Sequence, residues 1–235
     1  MNRIFIPGFG IASWRARLAD PEKHWKREAS AFEAAVSWES AARTDRGLPL
    51  SICQLLDRIA ELQGASLLFA FPEHKVPLPG GVRASQTDVW TILRGSLGLV
   101  SMAVEAKAEE SFGDTLEAWQ QTPTPGKAQR LSHLRDVLKC AAEFPPSIRY
   151  QLLHRTASAI IEAQRIGAPI AIMMVQSFRE NPISQRDYAA FGDCFGATLS
   201  PNAIVGIEGH KNPLLYLGWA TSPLCTDKDI ANVCG

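Results

Sequence analysis

The chain has 235 residues, 46% of them apolar and 20% charged, and its 24 basic residues balance 24 acidic ones. That length and composition suit a single domain, residues 1–235, whose core needs no disulfide or metal to hold it. A neutral chain does not coat a polyanion by bulk charge, although a local basic cleft is compatible with it.

The first twenty residues mix Gly, Pro and aromatics and read as an ordered arm. Asp20-Pro21-Glu22 predicts a helix start, with Asp as cap and Pro in the first turn. The stretch to Arg43 has no Gly or Pro, and Trp25, Phe32, Ala35 and Val36 recur at helical spacing, so one helix is expected there. Gly47 and Pro49 end it. Leu50 to Leu62 predicts a shorter helix. Ser66 to Phe71 is a short apolar run read as a strand, followed by a Pro/Gly loop over residues 77–81. Thr87 to Arg94 and Leu99 to Lys107 predict two further strands, joined by a turn between Gly95 and Gly98.

The remainder is read as helix-rich. Helices are expected over Asp114–Gln121 and Lys127–Ala142, and from Pro145-Pro146 to Arg165 with Gly167 as cap. Pro169 to Ser177 is almost wholly apolar, as in a strand buried on both faces. A helix over Asp187–Phe195 and a strand over Leu214–Ala220 follow.

The chemistry concentrates in the hairpin. Strand side chains alternate faces, so Glu105 and Lys107 share one face while Met102, Val104 and Ala106 turn to a core. An ExK triplet on a strand is by itself most simply a solvated outer face. Asp88 changes that. If the hairpin is centred between Ser96 and Leu97, residues 88 and 105 are equidistant from its centre and two carboxylates face each other. Like charges at a cross-strand position are destabilising and call for a cation. Lys107 supplies part of it, and Mg²⁺ or Mn²⁺, which favour hard oxygen ligands, would supply the rest.

The order of elements, helix, strand, Asp-bearing strand, ExK strand, helix and buried strand, resembles the PD-(D/E)XK nuclease superfamily. The resemblance spans about residues 20–177 and leaves 178–235 as a C-terminal extension. It implies an α/β domain, a mixed sheet flanked by helices, with a restriction-endonuclease-like αβββαβ core and an additional C-terminal helix and strand. It further implies a divalent metal bound by Asp88, Glu105 and the Ala106 carbonyl, with Lys107 assisting the attacking water. A further acid on the first helix is implied, for which Glu39 is preferred over Glu33. Thr87 stands where the family carries proline.

Arg149 to Ala159 is similar to a helix motif of uncharacterised bacterial proteins in the same superfamily. It implies that Gln151 and Arg155, with His154 as a further candidate on the same side, face the site; a helix with an apolar side in the core and its polar side in solvent is the competing reading. Residues 126–165 hold seven Lys/Arg against three acids, so Arg130 and Lys127 are candidates for phosphate contacts.

The expected activity is metal-dependent hydrolysis of DNA phosphodiesters. A catalytically inactive nuclease-fold subunit of a larger complex, and an unrelated α/β domain with exposed carboxylates, remain the alternatives. A homodimer or a protein partner would supply sequence recognition. Cys53, Cys140, Cys194, Cys225 and Cys234 form no CxxC pair, and His24, His74, His133, His154 and His210 form no metal motif. No secretory or membrane-spanning run is read, so a cytoplasmic location without membrane contact is expected.

Overall fold

The computed structural model describes Ile4 and residues 10–140 and 143–234. In chain order the elements are α1 (Gly10–Arg15), α2 (Pro21–His24), α3 (Ser30–Ala41), α4 (Leu50–Leu56), β1 (Ser66–Val76), β2 (Ser85–Gly95) and β3 (Gly98–Lys107). Then come α5 (Leu116–Gln120), α6 (Pro125–Leu138), α7 (Tyr150–Ile166), β4 (Ile170–Ser177), α8 (Pro182–Asp193), β5 (Ala203–Ile207), β6 (Leu214–Thr221) and α9 (Asp227–Cys234).

The strands form one mixed sheet in the order β1-β2-β3-β4-β6-β5. β1, β2 and β3 are an antiparallel meander, β4 runs parallel to both β3 and β6, and β5 returns antiparallel to β6. Helices cover both faces. One apolar layer joins Phe32, Val36 and Trp38 of α3 to Met102, Val104 and Ala106 of β3. The other joins Leu152, Leu153, Ala159 and Ile160 of α7 to Ala103, Met173 and Val175. Every residue of β4 is buried, the apolar run over residues 170–175 and the polar Gln176 and Ser177 after it. No helix among the described residues is long and apolar enough to cross a membrane.

Several elements depart from the sequence reading. The helix expected from Asp20 to Arg43 is two helices. Asp20 caps α2 through the Lys23 amide, but Glu28 then takes a left-handed backbone (φ 68°). Buried Glu33 holds this break by accepting from the Glu28 amide at 2.8 Å, a tertiary device that propensity does not reveal. α4 stops at Leu56, and residues up to Gly64 form turns. α6 ends at Leu138 with Lys139 in the left-handed region; residues 141–142 of its expected end lie outside the described residues, as do 1–3 and 5–9 of the N-terminal arm.

α7 begins at Tyr150 instead of Pro145. The segment before it runs beside Thr115, and the Pro146 and Ile148 carbonyls accept from the Glu117 and Leu116 amides. The C-terminal region is more than one helix and one strand. β6 pairs with β4 along its full length, so this part continues the sheet. Edge strand β5 is too short to show a pattern. β1 runs through Pro72 to Val76 at an edge of the sheet, a position at which proline is tolerated.

Candidate functional site

The hairpin register is the expected one. Gly95 pairs with Gly98, and the ladder runs without slippage to Val89↔Val104. Asp88 and Glu105 are therefore the next positions on facing strands. Here Asp88 Oδ2 accepts from the Ala106 amide at 2.6 Å, which ties the first carboxylate to the middle of the ExK triplet.

Glu105 is not solvated. It is 2% exposed, Lys107 is 5% and Arg155 8%. Glu105 Oε1 accepts from Lys107 Nζ and from Gln151 Nε2, each at 2.7 Å. Its Oε2 accepts from Arg155 Nε at 2.5 Å. Gln151 and Arg155 are one turn apart on α7, which lies over β3 and β4. Lys107 also stands over the Phe112 ring, 5.2 Å from its centroid. α7 is further laced to the start of β2: Ser85 Oγ meets His154 Nδ1 at 2.8 Å, and Ser158 and Arg155 both donate to the same hydroxyl. With Nδ1 accepting, His154 is neutral, and burial followed by the nearby Arg155 charge pushes its pKa well below the ordinary histidine value.

The two acids are shifted in opposite directions. Burial, then the charges of Glu105 and Glu73, push the Asp88 carboxyl well above the usual carboxylate range. Burial also acts to raise Glu105, but Arg155 and Lys107 more than offset it and keep it below its usual value. The two facing carboxyls are thus shifted apart, Asp88 upward and Glu105 downward, a separation typical of functional sites.

The predicted residues divide cleanly. Asp88, Glu105, Ala106, Lys107, Gln151 and Arg155 are brought together. Glu39 is not. It lies on α3, on the opposite face of the sheet, and accepts from Trp14 Nε1 at 2.8 Å. Glu33 is equally remote, bonded to the Glu28 and Cys225 amides. The helix acid implied by the resemblance is absent at both positions because α3 and α7 occupy different layers.

Arg130 and Lys127 do not offer phosphate contacts either. Arg130 is 7% exposed, and its guanidinium donates to the carbonyls of Leu78, Pro79 and Gly81. Lys127 Nζ donates to the Trp119 and Thr122 carbonyls and stands over the Trp119 ring. Both are internal pins of loops. Arg130 fixes the β1–β2 loop where Gly80 touches α6 so closely that an added Cβ would come 2.0 Å from the Gly126 carbonyl. Arg130→Ala is therefore expected to lower stability by about 1–3 kcal/mol, the cost of leaving these carbonyls short of a charged donor. Urea denaturation reads that loss, and an unaltered salt dependence of nucleic-acid binding separates it from a phosphate role.

Among the described residues no three His, Cys, Asp or Glu side chains are gathered in the arrangement of a metal-ion site. The oxygens of Glu105 are instead taken by Lys107, Gln151 and Arg155. The donor set nevertheless suits a hard divalent cation in kind. Glu73, Asp88 and Glu105 interact with one another and with the cations Lys75, Lys107 and Arg155. Gln151 Oε1 is buried without a hydrogen-bond partner beside them. Those are hard oxygen ligands, the kind Mg²⁺ and Mn²⁺ favour. An ion bound here would have to displace Lys107 or Gln151 from Glu105.

Glu73, Gln86, Ser85 and Ser158 were missed in the sequence. The expected strand stopped at Phe71, two residues short of Glu73, and Ser85 stands before the predicted start of β2.

The family model of a domain of unknown function (DUF6946) matches residues 7–224. No curated protein and no solved structure matches the chain. The chain belongs to the DUF6946 family.

Proposed function

We propose that this member of the DUF6946 family is a divalent-metal-dependent nuclease that hydrolyses phosphodiester bonds, with DNA as the substrate. The observation that carries the reading is the convergence of Asp88, Glu105 and Lys107 with Gln151 and Arg155 in one buried cluster. The sheet supports it. Its antiparallel meander, helical crossover and parallel fourth strand follow the order of elements on which the resemblance to restriction-endonuclease-like folds rests.

Asp88 and Glu105 would hold the ion, with the Ala106 carbonyl as the backbone ligand that the resemblance implies. When bound, such an ion lowers the pKa of a coordinated water and neutralises charge developing on the phosphate. The chain's own groups do the positioning. Arg155 keeps Glu105 ionised, and Gln151 fixes the turn of its carboxylate. Lys107 ends β3 beside Glu105, where its amine can orient the attacking water or meet the charge of the transition state. The Ala106 amide holds Asp88 against β3.

One observation favours a second reading, a binding subunit that has left catalysis: every Glu105 oxygen already has a donor within the protein. Supercoiled plasmid separates the two. The nuclease reading expects Mg²⁺-dependent nicking that stops with EDTA. Plasmid left intact at high enzyme with both Mg²⁺ and Mn²⁺ would exclude a DNA nuclease and leave the binding reading.

A further inference from the structure

The apolar run of β4 ends in Gln176, a polar side chain with no exposed surface. A buried amide needs partners, and it finds them on the α3 side of the sheet, away from Glu105 and α7. Trp38 Nε1 donates to Gln176 Oε1 at 2.9 Å. An indole N–H can only donate, so the amide is oriented and its nitrogen must do the donating elsewhere. It donates to Ser37 Oγ at 3.1 Å and to Ser222 Oγ at 3.0 Å. Ser222, itself buried, shares one further bond of 2.6 Å with Ser51 Oγ.

Counting hydrogens shows a surplus of donors. The hydroxyls of Ser37, Ser51 and Ser222 bring one hydrogen each, and the Ser51–Ser222 bond uses one of them. The Gln176 nitrogen accepts none. The hydrogen of Ser37 and the remaining one of the pair have no acceptor among the described residues. Ser40, one turn further along α3, has a buried hydroxyl with no partner at all. These serines border one cavity of about 750 Å³ between α3, α4 and the segment after β6, a size usual for small-molecule sites. Leu48, Leu50 and Leu224 give it apolar walls, and Leu50 is 73% exposed. Its charged residues are Asp45, Asp57 and Asp229 against Arg46. Arg46 is already paired with Asp57, so the balance disfavours an anion.

We propose that this cavity binds an uncharged small molecule with an apolar body and a carbonyl oxygen, the oxygen accepting from the Ser37 hydroxyl and from the Ser51–Ser222 pair. Gln176 is the positioning residue. By occupying a lone pair on Ser37 and on Ser222 it leaves their hydrogens to be given to a ligand. The leucine walls take the apolar body, and the acids turn carboxylates away. The inference stands apart from the nuclease reading, whose residues lie on the other face of the sheet.

Acetonaphthone, ethylnaphthalene and naphthoate, substituted at the same ring position, are the probes. They share an apolar body and carry a carbonyl, no polar atom and a negative charge respectively. Equilibrium dialysis against the full chain, read by absorbance, gives their affinities. Acetonaphthone is expected to bind, and more tightly than naphthoate. Ser37→Ala removes one of the two hydrogens and the Ser51→Ala/Ser222→Ala double variant removes the other. Each is expected to weaken acetonaphthone by about three- to tenfold, the scale of one neutral hydrogen bond, and to leave ethylnaphthalene within about twofold. Ser37→Thr, which keeps a hydroxyl, should restore the ketone. No binding of acetonaphthone by the unsubstituted protein overturns the proposal, as does tighter binding of naphthoate. Equal losses for ketone and hydrocarbon overturn the hydroxyl contacts and show a packing role only. Should the double variant not fold, Ser37→Ala decides alone: ketone affinity unchanged there counts against the site.

Discussion

Glu105→Gln is expected to cut the rate of plasmid nicking by about 10³-fold or more, the scale on which loss of a preorganised group at the reacting phosphate acts. The substitution keeps the shape of the side chain and one oxygen to accept from Arg155 or Lys107. Glu105→Ala is the weaker experiment. It would leave the Lys107 amine and the Arg155 guanidinium buried and unpaired, at a cost of about 3–5 kcal/mol. Lost activity would then report a damaged fold as readily as a missing ligand. The Gln variant is to be judged at matched folded fraction, checked by circular dichroism. Nicking at the unsubstituted rate by a folded Glu105→Gln protein would remove Glu105 from the chemistry.

What the sequence disclosed and what it hid have separate physical origins. The hairpin was legible because its turn has glycines at both ends and its strands are unbroken, so equal counting from Gly95 and Gly98 reaches Asp88 and Glu105. Buried β4 was legible because an apolar run has few other places to go. Gln151 and Arg155 could be placed on one side of a helix by spacing alone, and the structure turns that side to Glu105. Layering was not legible. No local pattern says that α3 covers one face of the sheet and α7 the other, so Glu39 was assigned to a site it does not reach. Arg130 and Lys127 were misread for a related reason: their partners are backbone carbonyls of loops, which leave no mark on composition. Glu73 was hidden by Pro72, which reads as a strand end but is tolerated on an edge strand.

Arg155→Met tests whether the arginine of α7 belongs to the folded site or to the substrate. Methionine roughly fills the space and removes the charge. Glu105 would then retain Lys107 and Gln151 but lose the bond to Oε2, and Ser85 would lose one donor. Removing one partner of a buried ion pair costs about 3–5 kcal/mol, and urea denaturation at neutral pH should show a loss of that size. The pH dependence has a definite sign. The folded protein keeps Glu105 below its ordinary pKa, with the Arg155 charge the leading cause that opposes burial. The stability from this pair is fully present above the unfolded carboxyl value, about 4.3. It is lost as pH falls through the lowered folded value. The gap between the unsubstituted protein and Arg155→Met should therefore be widest near neutrality and narrow steadily below about pH 4. An arginine whose task was only to meet phosphate would give no gap beyond about 0.5 kcal/mol, as for a surface substitution, and none that varied with pH. A wide gap that closes in acid places Arg155 beneath the Glu105 carboxylate, holding it charged.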